Sequence, residues 1–229
     1  MIGSMMRRAM ISGSIVPDNL LFNIDPAAYS GSGTTVPDLS GNGRDGTLVN
    51  GPVYSSANGG YFTYDSTDDY MTVSLTGTFS EFTMSIWAYR TESWASYAGI
   101  VYHRQSNNTH GLSVSPTADR LGYTWNNASN TWNWNPGATM NIPLDTWCML
   151  TMRVSASSGA VFINTTKATN SVSHTSGTFG NSSTTMRLAV DTNTLNYLGL
   201  RAGPWFAYDR ALTDDEITQN YNALAGRYS

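Results

Sequence analysis

The chain has 229 residues, of which 40% are hydrophobic and 12% charged, with a formal net charge of −4. So few charges exclude a chain held open by self-repulsion, and with Lys167 as its only lysine the chain offers no basic footprint for nucleic acid. A chain of this length buries a core without crosslinks. The lone cysteine, Cys148, lies between Trp147 and Met149 and reads as a small core residue, which excludes a cysteine-built metal scaffold.

Residues 1–16, MIGSMMRRAMISGSIV, mix methionines and two arginines with Gly and Ser and show no sustained period. They read as an N-terminal arm ahead of a domain over 17–229. The arm is either a frayed terminus or a segment that docks on a neighbouring subunit, since methionine adapts to irregular apolar surfaces. It lacks the apolar run of a secretory signal peptide. No stretch is long enough for membrane insertion, so synthesis in the cytoplasm is expected.

From Leu20 onward, short alternating segments are separated by turn residues, the pattern of an all-β protein. Tyr70–Leu75 sets Met71, Val73 and Leu75 against Tyr70, Thr72 and Ser74. Phe82–Arg90 sets Phe82, Met84, Ile86 and Ala88 against Thr83, Ser85, Trp87 and Tyr89. Further strands are expected at 100–104, 121–125, 147–154, 160–164, 186–190 and 205–208. Turns fall at SGNGRDG (40–46), NGP (50–52), NGG (58–60) and NPG (135–137), where Asn and Gly accept positive φ. One helix is signalled near the C-terminus. Thr213 and Glu216 have the spacing of a capping box, Leu212 and Ile217 that of a hydrophobic staple, and Gly226 is placed to end it. Ile217, Tyr221 and Leu224 make one apolar stripe.

These blocks in this order resemble a known family. DLSGNGRDGTLVNGPVYSSANGGYFTYDSTDDYMTV (38–73), FTMSIWAYR (82–90), DTWCMLTMRVSASSGAVFINTT (145–166) and YDRALTDDEITQNYNAL (208–224) are similar to the laminin-G-like module of the concanavalin A-like lectin and glucanase superfamily. The resemblance implies an antiparallel β-sandwich, a concanavalin A-like jelly roll, with one short C-terminal helix. Many members carry an Ile-Asp pair before the last tyrosine strand, where this chain has Ala202 and Gly203. The opening LFNIDPAAYSGSGTTVPDLSGNG is similar in style to modules of bacteriophage virion structural proteins.

The glucanases of that superfamily pair carboxylates through a Glu-x-Asp-x-x-Glu strand motif. On one strand face that motif sets nucleophile and acid about 5 Å apart. Here the glutamates are Glu81, Glu92 and Glu216, and none lies in such a motif, so no enzyme activity is expected. His103, His110 and His174 lack metal-ligand spacing. Asp65, Asp68 and Asp69 crowd one turn, where their oxygens either bond nearby amides or collect calcium. The best candidate binding surface is LGYTWNNASNTWNWNPG (121–137). If extended, it puts Trp132 and Trp134 on one face with Trp125 across a hairpin and Asn133 between them. Flat indoles among amides suit sugars, although tryptophans in a sandwich also fill its core.

The expectation is therefore a non-enzymatic subunit of a bacteriophage virion surface, structural or decorative, with a role in adhesion to cell-surface polysaccharide. Its partners are other virion subunits or a homo-oligomer formed through the arm. The alternative is a free-standing carbohydrate-binding lectin using the Trp/Asn-rich loop.

Overall fold

Alternation in the strands builds two facing sheets with a shared apolar interior, in a computed structural model that describes residues 13–105, 108–170, 172–173, 178–179, 184–191 and 196–228. One sheet has nine strands. Its main path runs Thr166–Lys167, Ser158–Ile163, Trp147–Val154, Phe82–Arg90, Gly199–Tyr208, Tyr61–Asp65 and Val53–Ser55. Leu20–Ile24 pairs with the end of Gly199–Tyr208, and Val172–Ser173 with Ser158–Ile163. The other sheet has seven strands, ordered Leu121–Thr124, Asn108–Val114, Gly99–Gln105, Thr184–Leu188, Tyr70–Leu75, Gly46–Val49 and Thr35–Val36. Every pairing between these strands is antiparallel. The protein is an antiparallel, jelly-roll-like β-sandwich with one short C-terminal helix.

The core lies between the sheets. Phe82, Met84, Ile86 and Ala88 from the nine-stranded sheet meet Met71, Val73, Leu75, Leu112 and Leu121 from the other, all buried. The opposite face of Phe82–Arg90 was expected to be merely the aromatic side of a strand, yet Thr83, Ser85 and Trp87 are buried too. The C-terminal helix Asp214–Leu224 and the segment before it cover them. Trp87 stacks on Tyr221 at 5.5 Å and on Tyr228 at 4.8 Å, and Thr83 Oγ1 donates to Arg210 O while accepting from Leu212 N. A second, smaller core results, and each large side chain fully buried there contributes roughly 1.5–3 kcal/mol.

The helix begins as its sequence dictates. Thr213 Oγ1 accepts from Glu216 N, and the Glu216 carboxylate accepts from Thr213 N and from Arg210, closing the capping box. Its end differs from expectation. Gly226 adopts no left-handed turn; the chain tightens into a 3-10 turn, Ala225–Arg227, whose Arg227 grips Asp25 through two bonds of 2.7 and 2.9 Å. Residues 1–12 of the expected arm lie outside the described residues. Val16, at its end, is buried, with its N–H on Asn220 and its carbonyl accepting from Tyr208 Oη.

Gly203, where the family resemblance would lead one to expect an acid, lies against the C-terminal segment. A Cβ there would fall 2.4 Å from Tyr228 Oη and 3.2 Å from the Trp87 Cβ, so the C-terminal tyrosine occupies the space an acid would need.

Candidate functional site

Period-two alternation decides which side chains the seven-stranded sheet turns away from the core. Cross-strand partners on one face form a continuous row, Thr47, Thr72, Arg187, Tyr102, Gly111 and Thr124, each paired in register with the next. Gly111 leaves a gap in that row because its backbone has φ +145° and any Cβ would lie 2.0 Å from Val101 O. The neighbouring positions Ser113 and Gly122 are also small, and a Cβ on Gly122 would crowd the Ser115 backbone. The floor is therefore low where three strands meet. Tall side chains stand around it.

A cleft of about 340 Å³ results, lined by Tyr97, Tyr102, Arg104, Thr109, Ser113, Thr124, Asn127 and Trp132. Tyr102 Oη bonds Thr124 Oγ1 at 2.6 Å. Arg104 lies over the Tyr102 ring at 5.3 Å and holds Asp191 through two bonds of 2.8 and 2.6 Å, which raises its pKa further. Its charge is thus already matched. Thr109 lines the cleft, with its Oγ1 buried and without a hydrogen-bond partner among the described residues.

The rim is built from two loops. Residues 91–98 are pinned by Trp94, whose amide donates to Asp119 Oδ1 and whose indole donates to Gly199 O. This holds Tyr97 at φ +66° with its ring 46% exposed. A left-handed bulky residue is costly and persists only where neighbours enforce it. The other loop leaves Leu121–Thr124 through Asn126 and Asn127, both left-handed, and then forms one helical turn, Ser129–Trp132. Thr131 ties that turn down, accepting from Trp125 N and donating to Ala128 O. Trp132 emerges 36% exposed and meets Tyr97 edge to face at 6.0 Å, while Tyr97 Oη donates to Asn133 Oδ1.

The extended arrangement expected for 121–137 is therefore corrected. The helical turn separates the tryptophans: Trp132 points to the cleft, whereas Trp125 is fully buried against His110, Phe82 and Phe179. Trp134 is also buried, 9% exposed, against Tyr123. Neither reaches a ligand on the surface. Trp132 and Asn133 remain at the rim, and the sequence reading missed Tyr97, Tyr102, Arg104, Thr109, Ser113 and Thr124. Alternation in 99–114 signalled an outward face with Tyr102, Arg104 and Ser113, but a single sequence does not show which solvent face is concave.

Behind the floor, His103 and His110 stack at 6.5 Å in the core. Burial pushes both pKa values down, His110 to about 3; at His103 the bond to Thr185 O opposes the shift and the charge of Arg187 adds to it, and at His110 the neighbouring His103 adds to it. Asp65, Asp68 and Asp69 do converge, with carboxylate oxygens within 4.8 Å of one another. Asp65 Oδ1, however, already accepts the amides of Thr67 and Asp68, and the Thr67 bond leads in holding its pKa down. Burial and then Asp65 raise that of Asp69. Part of this oxygen capacity is thus spent on the amides that close the turn.

Residues 65–218 match the family model described as the concanavalin A-like lectin/glucanases superfamily. The chain belongs to this superfamily. No curated protein matches it by sequence. Among solved structures, this superfamily member is similar to domain 4 of AbnA, a GH43 extracellular arabinanase from Geobacillus stearothermophilus solved with arabinotriose. That likeness has TM-score 0.66 and 17% identity over 89% of this chain and 98% of that one. It is also similar to the binding domain of botulinum neurotoxin DC in complex with SialylT, with TM-score 0.64 and 14% identity over 91% of this chain and 52% of that one. A third likeness is Trypanosoma rangeli sialidase, at TM-score 0.66 and 11% identity, covering 92% and 34%. The chain spans about half the length of the botulinum neurotoxin binding domains it matches. At these identities the likeness is one of fold.

Proposed function

We propose that this protein is a non-catalytic glycan-binding module that holds a polysaccharide in the cleft of its seven-stranded sheet. The observation that carries the reading is the pair of exposed rings, Tyr97 and Trp132, standing over a floor of hydroxyls at Thr109, Ser113 and Thr124. A pyranose has an apolar face that lies against such rings and a rim of hydroxyls that exchanges hydrogen bonds with such a floor.

Two further points support binding without chemistry. No Asp or Glu is among the described residues lining the cleft. Glu92 and Glu216 are engaged elsewhere, Glu92 accepting from Gly199 N and Glu216 holding Arg210 and the helix cap. The complexes of neighbouring structures with arabinotriose and SialylT lend the fold a precedent for sugar ligands. The likeness of residues 21–43 to phage-encoded modules supports a particle-surface setting for such adhesion, as a decoration or tail subunit.

A glycan array probed with wild type and Trp132→Ala tests the reading. Wild type retains a defined subset of glycans and Trp132→Ala loses them; retention of nothing by wild type, or equal retention by both, overturns it.

A further inference from the structure

The row of outward residues continues past the cleft, and the charges on it are unequal. Thr124, Gly111 and Tyr102 lie at the cleft; one strand further the partner of Tyr102 is Arg187, then Thr72 and Thr47. Directly opposed residues of an antiparallel pair share a face with Cβ atoms about 5 Å apart, so Arg187 rises beside Tyr102 on the cleft side. Arg104, the other cation of this face, is taken by Asp191. Arg187 is half-buried and has no hydrogen bond or ion pair to any described residue. Among the described residues, one guanidinium without an acidic partner thus stands in a row whose other members are threonines, a tyrosine and a glycine.

We infer that the glycan held here is acidic: a uronate-bearing polysaccharide that crosses the strands along this row, with a sugar carboxylate on Arg187. The inference rests on the glycan-binding reading and names the class of sugar. A guanidinium fork fits a carboxylate through two parallel bonds. The interstrand step of about 4.8 Å is close to the length of one pyranose unit, so a ring stacked at Tyr97 and Trp132 places a later ring over Arg187. The hydroxyls of Thr72 and Thr47 extend the track beyond it.

The test is retention of the whole protein on immobilised polygalacturonate, alginate and hyaluronate, each compared with its carboxyl-reduced, neutral form. Arg187→Gln is run beside wild type, and Arg201→Gln, on the nine-stranded sheet, serves as a control of equal net charge. Wild type should prefer at least one acidic polymer to its reduced form by about tenfold or more, the scale of a charge-assisted hydrogen bond. Arg187→Gln should lose that preference while melting with wild type, and Arg201→Gln should keep it. Equal binding of acidic and neutral forms, a preference that survives in Arg187→Gln, or no binding to any of the acidic polymers overturns the inference. None of these touches the glycan-binding reading itself, which stands or falls on whether Trp132→Ala abolishes binding to whichever glycan wild type retains.

Discussion

Tyr97 and Trp132, 35 positions apart in the chain, meet edge to face with ring centroids 6.0 Å apart at the mouth of the cleft. Each is held from behind by a side chain that is itself buried: Trp94 anchors the loop of Tyr97, and Thr131 the helical turn of Trp132. The rim is formed before any ligand arrives, so little ordering cost is left for binding.

This arrangement separates two tryptophans of the same segment. Trp132→Ala removes a ring that is 36% exposed and should change stability by less than about 1 kcal/mol. Trp125→Ala empties a fully buried site among Phe82, His110 and Phe179 and should cost about 3–5 kcal/mol. Urea denaturation of both variants checks the contrast, which disappears if Trp125→Ala unfolds at the wild-type midpoint.

Acid should weaken the fold well before its carboxylates titrate. His103 and His110 have pKa values below the ordinary 6.5 in the folded state, His110 near 3, because burial penalises their charged forms. The unfolded chain therefore binds protons that the folded chain refuses as pH falls below 6.5. Stability is full above that value and declines toward the folded pKa values. Denaturant midpoints measured from pH about 7.5 to about 5, where carboxylates of ordinary pKa remain ionised, should fall, and His110→Gln should flatten the decline. A midpoint independent of pH across that window would contradict the assignment.

Gly203→Asp places an acid where the structure leaves no room for a Cβ. Here it should fail, since the new Cβ meets Tyr228 Oη at 2.4 Å and displaces the tyrosine from Trp87. A loss of about 1–3 kcal/mol is expected. The same substitution combined with Tyr228→Ala should recover part of the loss. If Gly203→Asp melts with wild type, Tyr228 does not fill that space.

The acidic turn offers a separate check. Because the amides of Thr67 and Asp68 already close it on Asp65, millimolar calcium should leave the melting temperature unchanged, and Asp68→Asn should leave it unchanged as well. A calcium-dependent rise in melting temperature that vanishes in Asp68→Asn would establish a metal site instead.

Much of the fold was legible in the chain because alternation is a local signal. Tyr70–Leu75, Phe82–Arg90 and Trp147–Val154 form strands over those very residues, and the Thr213–Glu216 box opens the helix where the spacing puts it. What local reading missed is set by distant contacts. Phe82–Arg90 is buried on both faces because the C-terminal helix, more than a hundred residues later, lies over Trp87. The indoles of 121–137 scatter because two left-handed asparagines and a helical turn break the extended form that would have aligned them. The cleft eluded the sequence for a related reason. Its floor is marked by missing side chains at Gly111 and Gly122, and its walls come from strands and loops that only the sheet order brings together.

The most direct test of the cleft follows the indole N–H resonances of the seven tryptophans by NMR while a glycan retained on the array is added. The Trp132 resonance should shift progressively with ligand, while those of the buried Trp94, Trp125 and Trp205 stay in place. A shift confined to Trp87 or Trp147, on the nine-stranded sheet, would contradict the account and move the binding surface to the other side of the sandwich.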